Sequence, residues 1–296
     1  MSPLPAPVDH LSRKGEIARV AAQVSLPFRP RAWRGSFGGW QGRGQGSSID
    51  FHDHRAYAPG DDPRHLDWGA YARTDQYTMK LFREEVSPRV DVALDVSGSM
   101  ALTGEKEARS LDLLALVAGI ALHDGISLRV YLLHSTGQWR RIEPGAAAEL
   151  KSMQGFGLHA ARGGQLPLAE IPWRTGSLRV LISDLLLSQP PERELAALGR
   201  QNGAAVVLAP YLAAEAEPDW HGNMELLDCE TRQLRRQRIE PVLLARYRDS
   251  YRRHFELWQR EARRRSVPFA RISCEATLTE AVRGQALPAG AFDVRH

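Results

Sequence analysis

The chain has 296 residues, 43% hydrophobic and 25% charged, with a net charge of +4, the balance of an ordinary globular protein long enough for one large domain and a satellite. Its two cysteines, Cys229 and Cys274, are far apart and lack metal-binding spacing, which excludes a disulfide framework and indicates a reducing compartment. The start, Met-Ser-Pro-Leu-Pro-Ala-Pro, has no basic region followed by an apolar core, and no run reaches about 18 apolar residues, so the sequence reads as soluble and cytoplasmic with no membrane association.

Residues 1–30 carry five prolines and a short polar helix candidate at 11–22. Six glycines then fall between Gly35 and Gly46. No Gly-Lys-Ser/Thr follows and no parallel strand precedes them, so they read as a hairpin loop rather than a phosphate cradle. Residues 50–67 hold His52, His54, Asp61, Asp62, His65 and Asp67. Two histidines two apart beside carboxylates suit a transition metal, which makes a metal-dependent hydrolase or nuclease on His52, His54, Asp61 and Asp62 an alternative function. The competing expectation is a polar network in which Arg55, Arg64 and Arg73 pair with Asp61, Asp62 and Asp67.

Arg89-Val-Asp-Val-Ala-Leu-Asp-Val-Ser-Gly-Ser-Met100 is the most informative line. An apolar strand ends in Asp95-x-Ser97-x-Ser99, gathering one carboxylate and two hydroxyls on one loop. Hard oxygen donors suit a hard divalent cation, and three of them leave positions for water and for a carboxylate from elsewhere. The plainer reading is that these residues cap the next helix. Ser97 is a poor nucleophile candidate, because Gly98 follows it directly and the Gly-x-Ser-x-Gly elbow is absent.

Leu111, Leu114, Ala115, Ala118 and Leu122 recur at helical spacing over 107–123, and 126–133 reads as a strand, giving a βαβ unit. Residues 177–184 form another buried strand ending in Asp184, 191–201 a helix, and 204–209 a third strand. The alternation predicts an α/β fold with a doubly wound, mostly parallel, Rossmann-like sheet, and Asp95 and Asp184 stand at strand ends where such sheets bind ligands. Residues 241–265 hold eight arginines against Asp249, Glu256 and Glu261. Leu243, Leu244, Tyr247, Tyr251, His254, Trp258 and Ala262 recur there at three- and four-residue steps. This is an amphipathic helix with its aromatic face toward a sheet and its arginines solvated, not a nucleic-acid-binding helix.

Asp95-x-Ser97-x-Ser99 with the later Asp184 resembles the metal-ion-dependent adhesion site of von Willebrand factor A domains. Phe51, Arg55, Tyr57, Gly60-Asp61-Asp62, Arg64, Asp67-Trp68 and Ala72-Arg73, followed by Phe82-x-Glu84-Glu85, resemble the block that heads the bacterial family called domain of unknown function 58. Leu227-Asp228-x-Glu230-Thr231 and the final helix extend the likeness over nearly the whole chain. The resemblance implies a small β-rich N-terminal segment over 1–87 and a von Willebrand factor A-like domain over 88–296. It implies Mg²⁺, or Mn²⁺ or Ca²⁺, on Asp95, Ser97 and Ser99, with Asp184 accepting from a bound water and an acidic residue of a protein partner completing the site. It further implies a non-enzymatic adaptor or co-chaperone of a MoxR-type AAA+ ATPase. One departure stands out: the Thr that these domains supply is missing, and Gly163-Gly164-Gln165 or Thr175 stands where it would be sought. That departure keeps a metal-free scaffold open.

Overall fold

The computed structural model describes residues 10–28, 51–59, 61–82, 88–134, 137–145, 166–229 and 233–295. The chain divides into two compact units, Met1–Pro27 with Arg89–His296, and Phe28–Pro88. The sequence assigns residues 1–27 to the N-terminal segment; of these, the described residues 10–27 group with the sheet.

In chain order the elements are α1 (His10–Gln23), β1 (Val24–Ser25), β2 (Phe51–Ala56), α2 (Trp68–Thr74), β3 (Thr78–Phe82), β4 (Arg89–Asp95), α3 (Gly104–His123), β5 (Ser127–Leu133), β6 (Trp139–Ile142) and β7 (Leu178–Ile182). Then come α4 (Pro191–Leu198), β8 (Ala204–Tyr211), α5 (Ala213–Ala216), β9 (Gly222–Leu227), β10 (Leu234–Ile239), α6 (Pro241–Arg264), β11 (Phe269–Ser273), α7 (Leu278–Ala281) and β12 (Asp293–Val294). The smaller unit pairs β2 with β3 antiparallel.

The larger unit is built on a six-stranded sheet in the order β11-β8-β7-β4-β5-β6, parallel throughout except for β6. The order reverses between β4 and β7. Val90, Val92, Ala93 and Leu94 are fully buried, and so is Asp91 among them, so β4 has no solvent face although its sequence alternates. On one face Ala93, Leu181 and Val207 pack with Leu195, Phe255 and Trp258 of α4 and α6. The opposite face is covered by α3, which packs on β4, β5, β7 and β8. This is a mixed α/β fold with a mostly parallel central sheet between helices, an arrangement of the Rossmann or von Willebrand factor A kind.

Two helix expectations change on contact with the neighbours. In α3, Leu122 is 86% exposed, whereas Leu113, Leu116, Val117, Ile120 and Ala121 are buried. A second stripe is covered because α1 packs on α3. Arg13 donates to Asp112 at 2.5 Å and to the Ala108 carbonyl at 2.7 Å, while Glu16 accepts from Thr279 at 2.9 Å. In α6, Leu243 is exposed and the buried positions are Phe255, Trp258, Glu261 and Ala262. Every one of its arginines except the half-buried Arg248 is exposed, as a solvated face requires.

A buried charge inside β7 constrains a distant turn. The fully buried Arg179 guanidinium donates to the carbonyls of Leu198 at 2.9 Å and Ala197 at 3.3 Å, capping the C-terminal end of α4. A Cβ at Gly203 would fall 2.5 Å from the guanidinium carbon. Gly203→Ala is therefore expected to destabilise the protein by about 1–3 kcal/mol, through overpacking against a side chain that cannot move away, measured as a lower urea midpoint at unchanged slope.

Glu194 in the first turn of α4 is 2% exposed, and burial pushes its carboxyl up to about 7. The folded protein keeps a proton that the unfolded chain releases near 4.5, so this group's contribution declines as pH rises from 4.5 to about 7 and is flat above that. Glu194→Gln removes that decline. At pH 8 the variant should exceed wild type by on the order of 2–3 kcal/mol, with the gap closing toward pH 4, in urea titrations across that range.

Candidate functional site

The carboxyl ends of β4 and β7 lie side by side at the point where strand order reverses, the place where open α/β sheets bind ligands. Asp95 ends β4 and is fully buried. Its Oδ1 accepts from the Ser97 amide at 2.9 Å and its Oδ2 from the Ser183 hydroxyl at 2.7 Å. The chain then makes a single 3₁₀ turn over Gly98–Ala101, and the Ser97 and Ser99 hydroxyl oxygens stand 3.1 Å apart. Ser97 makes no side-chain capping bond to that turn; α3 is capped instead by Thr103, whose hydroxyl accepts from the Lys106 amide at 3.2 Å. The helix-cap reading of Asp95, Ser97 and Ser99 therefore fails, because the helix starts later and brings its own cap.

Asp184 follows β7 and is also buried. Its Oδ1 accepts from the Leu186 amide at 3.1 Å, and its own amide faces the Met100 sulfur at 3.1 Å. Its Oδ2 accepts from the Lys106 ammonium at 2.8 Å. Lys106 is fully buried and gives a second bond, at 2.5 Å, to Glu215 of α5, whose other oxygen accepts from the Leu212 amide at 2.9 Å. Both carboxylates raise the Lys106 pKa, outweighing the burial that opposes them. Asp184 thus has a resident cation of its own, where the sequence suggests only a bound water.

Leu185 bridges the two halves of this edge with a left-handed backbone, φ 60°. The Ser183 hydroxyl accepts its amide at 3.1 Å, and His254 Nε2 of α6 donates to its carbonyl at 2.7 Å.

The electrostatics are unbalanced. Asp184 and Glu215 share the buried ammonium of Lys106, and Asp95 faces Asp184, so three buried carboxyl groups stand around one ammonium. Burial first, and the charge of Asp184 second, push Asp95 up to about 7, against the lowering effect of its hydrogen bonds. One carboxylate and two adjacent hydroxyls, with that surplus behind them, fit a hard divalent cation in charge and in donor type. Among the described residues no three His, Cys, Asp or Glu side chains converge on one point. The oxygens gathered around Asp95 are mostly hydroxyls. Above Ser97 and Ser99 opens a cleft of about 630 Å³, walled by Leu102, Leu186, Leu187, Trp220 and Leu227.

The remaining sequence candidates separate. Gln165 lies outside the described residues, as do Gly163, Gly164, Glu84, Glu85, Glu230, Thr231 and the Gly35–Gly46 loop. Thr175 is exposed and precedes β7 at the end opposite Asp184, on the order of 15 Å away by strand rise, so it does not serve this site. In the smaller unit Asp61 accepts from Arg55 at 2.7 and 2.6 Å, which lowers its carboxyl to about 2. Asp62 caps the turn at the Arg64 amide at 3.0 Å, and its carboxylate lies 3.9 Å from the Arg64 guanidinium, the expected pair in a largely exposed setting. Asp67 pairs with His54 at 2.7 Å and lies 3.7 Å from Lys80, not with Arg73 as expected, and His54 holds it down at about 2. The described members of the His52, His54, Asp61 and Asp62 group thus stand in separate pairs; the His52 side chain lies outside the described residues.

Ser183, Lys106 and Glu215 are the site residues that sequence reasoning missed. Ser183 had a signal, since it precedes Asp184 on the same strand end. Lys106 had none: in Gly-Glu-Lys-Glu at a helix start it reads as solvated.

No curated protein matches the chain. Among solved structures it is similar to conserved hypothetical protein BatB from Bacteroides thetaiotaomicron, at 11% identity and a TM-score of 0.37 over 69% of this chain and 98% of that one. It is also similar to an aerotolerance-related membrane protein from Bacteroides fragilis NCTC 9343 carrying multiple mutations to serines, at 15% identity and a TM-score of 0.29 over 60% of this chain and 100% of that one. Among the described residues no helix is long and apolar enough to cross a membrane. The model of the family described as "Protein of unknown function DUF58" matches residues 53–260, well over half the length, and the chain belongs to that family.

Proposed function

We propose that this protein is a non-enzymatic interaction module of the von Willebrand factor A kind, whose Asp95, Ser97 and Ser99 hold a divalent cation, Mg²⁺ in the first instance. The observation that carries the reading is the excess of buried carboxyl groups over the one Lys106 ammonium, beneath a hydroxyl pair that opens on a cleft. A bound cation supplies an open coordination position for a carboxylate of a protein partner. Ser183 and the Ser97 amide fix Asp95 in one rotamer, so the donors meet a ligand without reorganising. Asp184, anchored by the Leu186 amide, keeps lone pairs for a water beside the cation. The leucine-rich walls suit a protein surface better than a small polar substrate.

The partner we assign, on the family resemblance, is a MoxR-type AAA+ ATPase, with this chain as its cytoplasmic adaptor or co-chaperone in complex assembly or maturation. Two cysteines far apart in sequence fit a reducing compartment. A metal-free scaffold is the second reading, favoured by the Lys106 ammonium already seated on Asp184.

Thermal unfolding in Mg²⁺, Mn²⁺ and EDTA tests the cation. Wild type should gain about 2–3 kcal/mol when the metal stands at one hundred times its dissociation constant. Asp95→Ala should gain nothing from metal; in EDTA it should still fold, with a lower midpoint because the Ser183 hydroxyl and the Ser97 amide lose their buried acceptor. A wild type indifferent to metal overturns the cation reading. Retention of a MoxR-type ATPase on the immobilised protein should require Mg²⁺ and fail for Asp95→Ala; retention in EDTA favours the scaffold, and no retention in either condition removes this partner.

A further inference from the structure

Lys106 and Glu215 are not among the side chains lining the cleft, yet they bear on its charge. The ammonium is fully buried, so the field it produces is set by its two carboxylate partners, Asp184 at 2.8 Å and Glu215 at 2.5 Å, and not by water. Glu215 is held against release: its second oxygen accepts from the Leu212 amide at 2.9 Å, and its main-chain carbonyl accepts from the Tyr247 hydroxyl at 2.8 Å. The Tyr247 ring packs 5.1 Å from Trp220, which is one wall of the cleft. Asp184, at the other end of the ammonium, is the charge that Asp95 feels.

We propose that Lys106, divided between Asp184 and Glu215, is the positioning residue that sets how tightly Asp95, Ser97 and Ser99 hold a divalent cation. Glu215 draws part of the ammonium's compensation away from Asp184, and what remains uncompensated on Asp184 adds to the pull of Asp95 on the cation. Neutralising Glu215 leaves Lys106 wholly to Asp184 and weakens the site. Neutralising Lys106 unmasks Asp184 and strengthens it. The same three residues tie the floor of the cleft to the wall at Trp220, so their charge state and the shape of the cleft are set together. The inference rests on the cation reading above.

Titration calorimetry with MgCl₂ on the full chain, for wild type, Glu215→Gln and Lys106→Gln, provides the test, with unfolding midpoints in EDTA as the control for folding. Glu215→Gln, whose amide oxygen can still accept from Leu212, should raise the Mg²⁺ dissociation constant roughly tenfold, and Lys106→Gln should lower it by a similar factor. Damage to the fold would weaken binding in both variants, so opposite signs are the signature of the charge mechanism. An unchanged constant in Glu215→Gln, or weakening in both, overturns the inference while a responsive wild type leaves the cation reading standing. A wild type that binds no Mg²⁺ overturns both. If Lys106→Gln fails to fold in EDTA, Glu215→Gln alone decides.

Discussion

The structure at the carboxyl edge of the sheet depends on one constraint: a carboxylate sits at the end of a strand that has no face toward water. β4 lies in the middle of the sheet with helices over both sides, so Asp95 has lost its hydration and receives hydrogen bonds from Ser97 and Ser183 in exchange. A desolvated charge held this way is still under-compensated, and a second carboxylate facing it makes matters worse. What surrounds Asp95 follows from this. Ser183 projects from the adjacent strand end, the Ser97 turn folds its amide back, and two hydroxyls are left clustered on the open side.

Lys106 answers the same constraint at the neighbouring strand end. Burying an ammonium is costly unless its partners are close and fixed, and breaking such a pair costs more than the pair contributes. Here the partners come from three separate connections: the start of α3, the loop after β7 and the short helix after β8. None of these connections can shift by itself without exposing a charge to a low-dielectric interior. The region that faces the cleft is therefore rigid for electrostatic reasons, and the opposite end of the sheet is likewise fastened by an ion pair, with Asp91 of β4 accepting from Arg174 at 2.7 Å and from the Ser177 hydroxyl at 2.8 Å.

The parts of the fold legible in the sequence are those whose burial is set by one partner. β8 reads as a strand because both its faces are covered and its residues are nearly all apolar, while β4 and β7 read as strands from apolar residues that Asp91 and Arg179 interrupt. Asp95, Ser97, Ser99 and Asp184 were visible because a loop at a strand end has few other reasons to concentrate oxygens. β6, four residues long with Arg140 and Arg141 exposed between Trp139 and Ile142, is too short for its pattern to be read. The docking of α1 on α3 is equally silent, since it turns on an ion pair between Arg13 and Asp112 nearly one hundred residues apart. Lys106 and Glu215 defeat pattern reading for a deeper reason: each is a charged residue whose burial is permitted only by the other, so neither announces itself in a one-dimensional chain. Of the expected arginine network, Arg55 pairs with Asp61 and Arg64 lies 3.9 Å from Asp62, but Arg73 does not reach Asp67, because His54 and Lys80, brought in by strand pairing, take its place.

The left-handed backbone at Leu185 narrows what substitutions this edge can accept. A branched aliphatic residue would fit the buried pocket, where Leu185 has no exposure, but its Cβ substituents oppose a positive φ. Glycine would relax the backbone and leave a void where a whole side chain now packs. Asparagine tolerates the dihedral yet would bring an unsatisfied amide into an apolar pocket. The position is thus confined to unbranched-at-Cβ apolar side chains such as leucine and methionine, a sequence restriction imposed jointly by a dihedral angle and a cavity.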